Sequence, residues 1–256
     1  MDIENVDFEI ELPEVESVRD LTIHEEFFWL IQNGQKRKIR LHNYSEIYKI
    51  NFLYEYVMNQ LDYQSHIVLS SLLVKQFTQA GGKIEDMVVL DMGAGTGLVG
   101  QTLANLGVKS IVGIDRIPEA AEAAQRQYPG IYENYYVGEF NLLHQGSRNT
   151  FTNRDFNCLM CCSAIAPGHI GEEFSFIFNQ ITPQGWVAFN VAQYFWEDES
   201  EAGFHQQNSW VNHPNIFEIV EIQTYRHRGY MDNRSLDYLA IVGRKLSSFE
   251  SFFLSL

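Results

Sequence analysis

Val88-Val89-Leu90-Asp91-Met92-Gly93-Ala94-Gly95-Thr96-Gly97 decides the fold of this 256-residue chain. Met87 to Leu90 is short, apolar and β-branched, the pattern of a parallel strand buried on both faces. It breaks into glycines at 93, 95 and 97, which let the backbone turn sharply and approach a ligand where a Cβ would clash. From Gly97 the run Leu98 to Leu106 has helical periodicity, with Leu98, Thr102 and Leu106 on one face and Gly107 closing it. A second apolar strand, Ser110 to Ile114, ends in Asp115, about 20 residues beyond the glycines. Strand, glycine turn, helix and acid-terminated strand make a nucleoside-binding βαβ unit, with the terminal acid accepting hydrogen bonds from ribose hydroxyls.

The glycine run Gly95-Thr96-Gly97-Leu98-Val99-Gly100 satisfies G-x-G-x-x-G, which alone does not choose between cofactors. Asp91, two residues before the first glycine, does separate the readings. A carboxylate there repels a dinucleotide pyrophosphate and attracts a ligand bearing an ammonium group. The stretch resembles motif I of the class I S-adenosylmethionine-dependent methyltransferases, and Asp115-Arg116-Ile117 resembles their ribose-binding acid and the residues after it. Between Val89 and Val191 the chain is similar to the Williams–Beuren-region-type methyltransferase-like proteins. The matching features are the Gly95–Gly100 run, Tyr132 to Val137, and Gly168-His169-Ile170 after the fourth strand.

The resemblance implies an α/β, Rossmann-like sheet of seven mostly parallel strands with an antiparallel last strand. It also implies S-adenosyl-L-methionine as cofactor. Its implied contacts are Asp91, Gly93, Ala94, Gly95, Thr96 and Gly97 around the methionine part, Asp115 on the ribose, and Arg116 and Ile117 beside the adenine. Glu139 and Phe140 follow the third strand, Asn134 to Val137, where the family commonly places an acid on the adenine amino group. Ser163 follows the fourth strand, Phe156 to Cys162. An N-terminal helical segment often covers the cofactor in this family, which makes Tyr48 and Tyr54, with Tyr63, candidate contacts.

Charge and composition bound the substrate. A net charge of −15, with 18 basic against 33 acidic residues, leaves little to build a phosphate-binding face. Nucleic acid is therefore excluded as a partner and a small molecule expected. No apolar run reaches about 18 residues and no basic, apolar leader is visible, so neither a membrane span nor a secretory signal is expected. Cys158, Cys161 and Cys162 cluster in one apolar stretch and read as buried strand thiols, with no disulfide framework and no second ligand pair for a metal. A reduced, cytoplasmic setting fits.

Four segments follow: residues 1–43 as an N-terminal strand and hairpin, 44–82 as a helical cap over the cofactor, 83–245 as the core, and 246–256 as a hydrophobic tail. Val6, Phe8, Ile10 and Leu12 alternate with acids in strand fashion. Glu26 to Ile31 meets Asn33-Gly34, the pair that favours a type I′ turn, and returns through Lys38 to Leu41. Lys36 to Arg40 is expected to balance Asp7, Glu9 and Glu11. Asn43 to Gln60 reads as one helix, and a second has Ser65 as its N-cap. Glu172 to Ile181 reads as a helix and Gly185 to Val191 as the fifth strand. Ile216 to Tyr225 and Leu236 to Val242 form the last pair, joined through Arg226 to Gly229. The hairpin or the phenylalanine-rich tail is a candidate homo-oligomer contact.

If the methyl acceptor is an alcohol or ammonium, a base is needed. His169, on a Pro-Gly loop after the fourth strand, is the first candidate, followed by His205 and His227. His227 lies between Arg226 and Arg228, which could grip a carboxylate. Two other readings stay open: a methyltransferase-fold protein that binds without catalysis, and a nucleotide-dependent oxidoreductase.

Overall fold

The computed structural model describes residues 6–19, 21–139, 142–165 and 172–249. In chain order the elements are β1 (Glu9–Glu11), α1 (Val15–Val18), β2 (Phe27–Gln32), β3 (Gln35–Arg40), α2 (Tyr44–Ile47), α3 (Leu53–Gln60) and α4 (Ser65–Gln79). There follow β4 (Val88–Met92), α5 (Leu98–Asn105), β5 (Ser110–Asp115), α6 (Pro118–Gln127), β6 (Asn134–Val137), α7 (Gln145–Thr152) and β7 (Phe156–Cys161). The chain continues through α8 (Glu172–Asn179), β8 (Ile181–Ala192), α9 (Gln193–Trp196), α10 (Phe204–Gln207), β9 (Phe217–Gly229) and β10 (Ser235–Lys245).

Seven strands form one sheet in the order β6-β5-β4-β7-β8-β10-β9. β4 pairs in parallel with both β5 and β7, and β10 is inserted antiparallel between β8 and β9. The fold is the Rossmann-like sheet with an antiparallel last strand. Its strands are buried on both faces because helices cover both, which is why β4, β5 and β7 read as continuous apolar runs. On one face Leu69, Leu73 and Leu103 of α4 and α5 pack on Val89, Ile111, Cys158 and Met160. On the other, Phe151, Phe174, Ile177 and Phe178 of α7 and α8 pack on Leu90, Leu159, Val187 and Phe189. The three cysteines are free and buried.

The N-terminal strands form a separate antiparallel sheet, β1-β2-β3. Asn33 and Gly34 both have positive φ, 52° and 74°, as a type I′ turn requires. β2 lies between β1 and β3, so the acidic and basic strands are not neighbours. Lys36 nevertheless reaches Glu11 at 2.7 Å, whereas Arg37 pairs with Glu46 and Lys38 lies 3.6 Å over the Phe27 ring. Phe28, Leu30 and Ile39 of this sheet bury a third core with Ile47, Leu53, Val57 and the small face of α6, Ala120 and Ala123.

Several boundaries differ from the sequence expectation. Asn43 to Gln60 is two helices, because Phe52 takes a left-handed φ of 58° and turns its ring onto Tyr128. Ser65 is the first residue of α4 and not its cap; no side chain caps that helix. Helix α8 ends at Asn179, and Ile181 already pairs with Phe156 in β8. The stretch Arg226 to Gly229 is inside β9, where Arg226 pairs with Asp237, and is not a connection. Phe249 packs on Phe178 and Trp210, at ring separations of 4.9 and 5.8 Å. Phe252 and Phe253 lie outside the described residues.

Candidate cofactor and acceptor cavity

A cavity of about 790 Å³ opens at the carboxyl ends of β4, β5, β7 and β8, roofed by the N-terminal layer. The sheet order turns back at β4, which has β5 on one side and β7 on the other, and that switch point is where open α/β sheets place ligands. The floor is the glycine loop, Gly93 to Thr96. At one end stand Asp115, Arg116, Ile117 and Glu139; at the other stand Ser163, Tyr63, His66, His227 and Tyr238. Tyr44, Tyr48 and Tyr54 close it from above.

The loop geometry explains its glycines. Gly93 and Gly95 have φ of 71° and 53°. A Cβ at Gly93 would stand 2.6 Å from Ala164 Cβ, and one at Gly95 would stand 3.1 Å from the Tyr48 hydroxyl. The loop is also held from every side. Gly93 and Ala94 donate their N–H groups to Ile114 O (2.9 and 3.2 Å), and Gly97 donates to Ala94 O (3.0 Å). Gly95 N donates to Asp115 Oδ2 at 2.9 Å, while Tyr135 donates its hydroxyl to Gly95 O at 2.7 Å. Four loop N–H groups are therefore spent inside the protein. A diphosphate is bound by free amides at such a turn, so this loop is poorly furnished for one.

Asp115 has both oxygens in use, Oδ1 accepting from Ile117 N at 2.9 Å, and keeps its outer lone pairs for hydroxyl donors. Burial raises its pKa, partly offset by these amides. Arg116 pairs with Glu139 at 3.0 Å, so both adenine-side candidates meet on the cavity rim.

Asp91 is placed differently from the expectation. It lies beneath the glycine loop, 1% exposed, and is not on the cavity wall. Strand alternation sets it on the face of Val89, toward Tyr132, whose hydroxyl donates to Oδ2 at 2.7 Å. Oδ1 has no partner among the described residues. Burial pushes this carboxyl up to about 7. The described cavity wall therefore does not include Asp91, which lies behind the glycine loop. Gly97 also faces away, toward Tyr128, Tyr132 and Ala124 of the α6 side.

Sequence reasoning missed Glu55. This α3 carboxylate is 4% exposed and accepts from Thr96 Oγ1, tying the glycine loop to the N-terminal layer. With its amide turned to satisfy both neighbours, Gln127 donates to Glu55 at 2.9 Å and accepts from Phe52 N at 2.9 Å. Burial pushes Glu55 up to about 7. Its one sequence signal is a lone acid on the apolar face Leu53-Tyr54-Val57-Met58.

Of the two described histidines proposed as bases, His227 is brought to the cavity and His205 is not. His205 sits on α10, 4.3 Å from the Trp196 ring, with Nδ1 2.9 Å from Asn212 Nδ2. His169 and Phe140 lie outside the described residues. The proposed arginine grip does not form around His227. Arg228 is bound to Glu26 at 2.6 Å, with both side chains 3% exposed, and Arg226 faces Asp62 at 3.8 Å on the surface. Missed entirely was a buried polar chain at the same wall. Ser163 N donates to Asn190 Oδ1 (2.5 Å), Asn190 Nδ2 reaches Tyr225 OH (2.7 Å), and Ser65 Oγ lies 2.6 Å from Tyr225 OH and 2.5 Å from His227 Nδ1.

No family model and no curated protein matches the sequence. Solved structures do align with the fold. Magnesium protoporphyrin IX methyltransferase from Synechocystis PCC 6803, with bound S-adenosylmethionine, is 14% identical over 71% of this chain and 78% of its own, with a TM-score of 0.49. The N-methyltransferase NodS from Bradyrhizobium japonicum is 14% identical over 70% of this chain and 86% of its own, with a TM-score of 0.47. An S-adenosylmethionine-dependent methyltransferase from Methanosarcina mazei is 18% identical over 63% and 93%, with a TM-score of 0.46. These likenesses extend to the fold alone.

Proposed function

We propose that this protein is an S-adenosylmethionine-dependent methyltransferase with a small-molecule acceptor. The observation that carries the reading is the glycine loop at the switch point, with the amides of Gly93, Ala94, Gly95 and Gly97 bonded within the protein, running beside a ribose-competent Asp115 on one cavity. A nucleoside without a diphosphate suits that loop better than a dinucleotide does.

In this reading Asp115 accepts the ribose hydroxyls, Ile117 and the Arg116–Glu139 pair flank the adenine, and Gly93 to Thr96 line the methionine part. Tyr48 and Tyr54 cover the loop, and Ser163 borders the acceptor. The cofactor supplies a methyl group already activated on a sulfonium. The chain's own task is to hold the acceptor in line and keep water out, and orientation of that kind contributes about 7–11 kcal/mol. The cavity fits it: tyrosines pack against one another over the loop, Tyr48 against Tyr54 at 5.6 Å and against Tyr44 at 5.6 Å.

Calorimetry tests the cofactor. S-adenosylmethionine and S-adenosylhomocysteine are expected to bind and NAD is not; tight NAD binding with no response to S-adenosylhomocysteine overturns the reading. A screen of cell extracts with methyl-labelled cofactor then separates an enzyme from a non-catalytic binder: a labelled product is expected, and cofactor binding without any product favours the binder.

A further inference from the structure

We propose that His227 is a fixed hydrogen-bond donor to the acceptor substrate, presenting Nε2–H to the cavity, and that the acceptor is an uncharged molecule offering an oxygen or ring nitrogen there. The acceptor part of this inference rests on the methyltransferase reading; the tautomer does not.

The direction of the polar chain sets the tautomer. A backbone N–H can only donate, so Ser163 N at 2.5 Å fixes Asn190 with Oδ1 toward it. The amide Nδ2 then points at Tyr225 OH and can only donate, which makes the phenol oxygen an acceptor there. The phenol proton goes to Ser65 Oγ at 2.6 Å, and the serine proton to His227 Nδ1 at 2.5 Å. Every group in the chain is satisfied in that one direction. Nδ1 is therefore unprotonated, and in a neutral ring the proton sits on Nε2. The ring is held neutral by its surroundings. It is 5% exposed, stacked 3.9 Å from Tyr238, edge-on to Tyr63 at 5.2 Å, and close to Arg228 and His42. Burial first, then those two neighbours, lowers its pKa well below the ordinary value.

A nitrogen already carrying its proton cannot accept another, so His227 in this tautomer orients a substrate and does not deprotonate one. The same wall offers an anionic acceptor no free arginine. Arg228 is committed to Glu26 and to Gly229 O (2.7 Å), and burial holds His66, pushed down to about 4, neutral beside it. Arg116, the other described arginine on the cavity, is paired with Glu139. A buried anionic acceptor needs a charged partner, and neither arginine on the described cavity wall is free to supply one.

Long-range proton–nitrogen correlation on the full-length protein with ¹⁵N-labelled histidine tests the tautomer, with His227→Gln assigning the signal. The expected result at pH 7 is a neutral ring protonated at Nε2. Protonation at Nδ1, or a charged ring, overturns the proposal. Tyr225→Phe removes the proton that reaches Ser65 and is expected to give a mixture of tautomers; an unchanged pure Nε2–H form overturns the relay. In the labelled-methyl assay, His227→Ala is expected to lose about tenfold in kcat/KM, the worth of one hydrogen bond, whereas His227→Gln, which keeps an N–H, retains most of it. Equal losses, or a carboxylate or phosphate as the acceptor substrate, overturn the donor role. Failure of the cofactor to bind would sink the methyltransferase reading while leaving the tautomer result standing.

Discussion

Two buried carboxyl groups packed around one glycine loop carry most of the residue-scale consequences. Asp91 and Glu55 are both pushed up to about 7, from ordinary values of 3.8 and 4.5, chiefly by burial. A carboxyl whose pKa is raised in the folded state favours folding while protonated. That contribution is complete below about pH 4 and is lost as pH rises through about 7. Each pKa unit is about 1.4 kcal/mol, so the two groups together make a pH dependence on the order of a few kcal/mol. Urea unfolding at pH 5.5 and pH 8.5 is therefore expected to show the protein losing stability toward pH 8.5. Asp91→Asn and Glu55→Gln are each expected to flatten that slope, and a stability that rises with pH in the native chain contradicts the assignment. Asp115 was legible from sequence because a strand-terminal acid can only project at the sheet edge where ligands sit. Asp91, inside the same strand, could not be placed that way. What it meets on its face of the sheet is the Tyr132 hydroxyl, 41 positions later in the chain.

Beyond the hydrophobic cores, one buried ion pair ties two distant elements together. Glu26, just before β2, accepts from Arg228 of β9 (2.6 and 3.4 Å) and from Met231 N (2.8 Å), and it joins the N-terminal sheet to the edge of the central one. Removing one partner leaves the other charge buried and unpaired, which costs about 3–5 kcal/mol. Glu26→Gln alone is expected to lower the urea midpoint accordingly, and Glu26→Leu with Arg228→Met to recover most of the loss. Two single losses that simply add would contradict the coupling. The exposed basic strand is a contrast. Lys36, Arg37 and Lys38 are solvated, and surface pairs of this kind contribute about 0–1 kcal/mol each. At the end of β10, Lys245 is buried and donates to Asn179 O (3.1 Å) and Ile181 O (2.6 Å), closing the end of α8 onto β8. That residue reads in sequence as an ordinary charged strand end.

Across the whole molecule, the N-terminal layer and the central sheet meet at the cavity and share its walls. Glu55 on Thr96, Tyr48 over Gly95 and Arg126 Nη2 on Tyr48 O (2.7 Å) connect the two layers there. A ligand seated between them stabilises both. Saturation with S-adenosylhomocysteine at about 100 times its Kd adds about 2.7 kcal/mol to unfolding. Amide exchange is expected to slow in residues 44–63 and 93–97 together, with little change along the outer part of β9. Slowing confined to 93–97 would mean that the N-terminal layer does not close on the cofactor.

The family resemblance implied the mostly parallel seven-stranded sheet; the sequence by itself determined the βαβ unit, the type I′ hairpin and the position of Asp115. Each follows from local periodicity or from a backbone conformation that few residues permit. Tertiary structure alone decided where Asp91 points, why Phe52 breaks a helical run, what holds Thr96, and that Arg228 is spent on Glu26. It also turned Ser65 from an expected helix cap into the link between Tyr225 and His227. Such pairings join residues up to 202 positions apart. A hydrogen bond of that reach is selected by the shape of the packed core, and no local pattern in the chain encodes it.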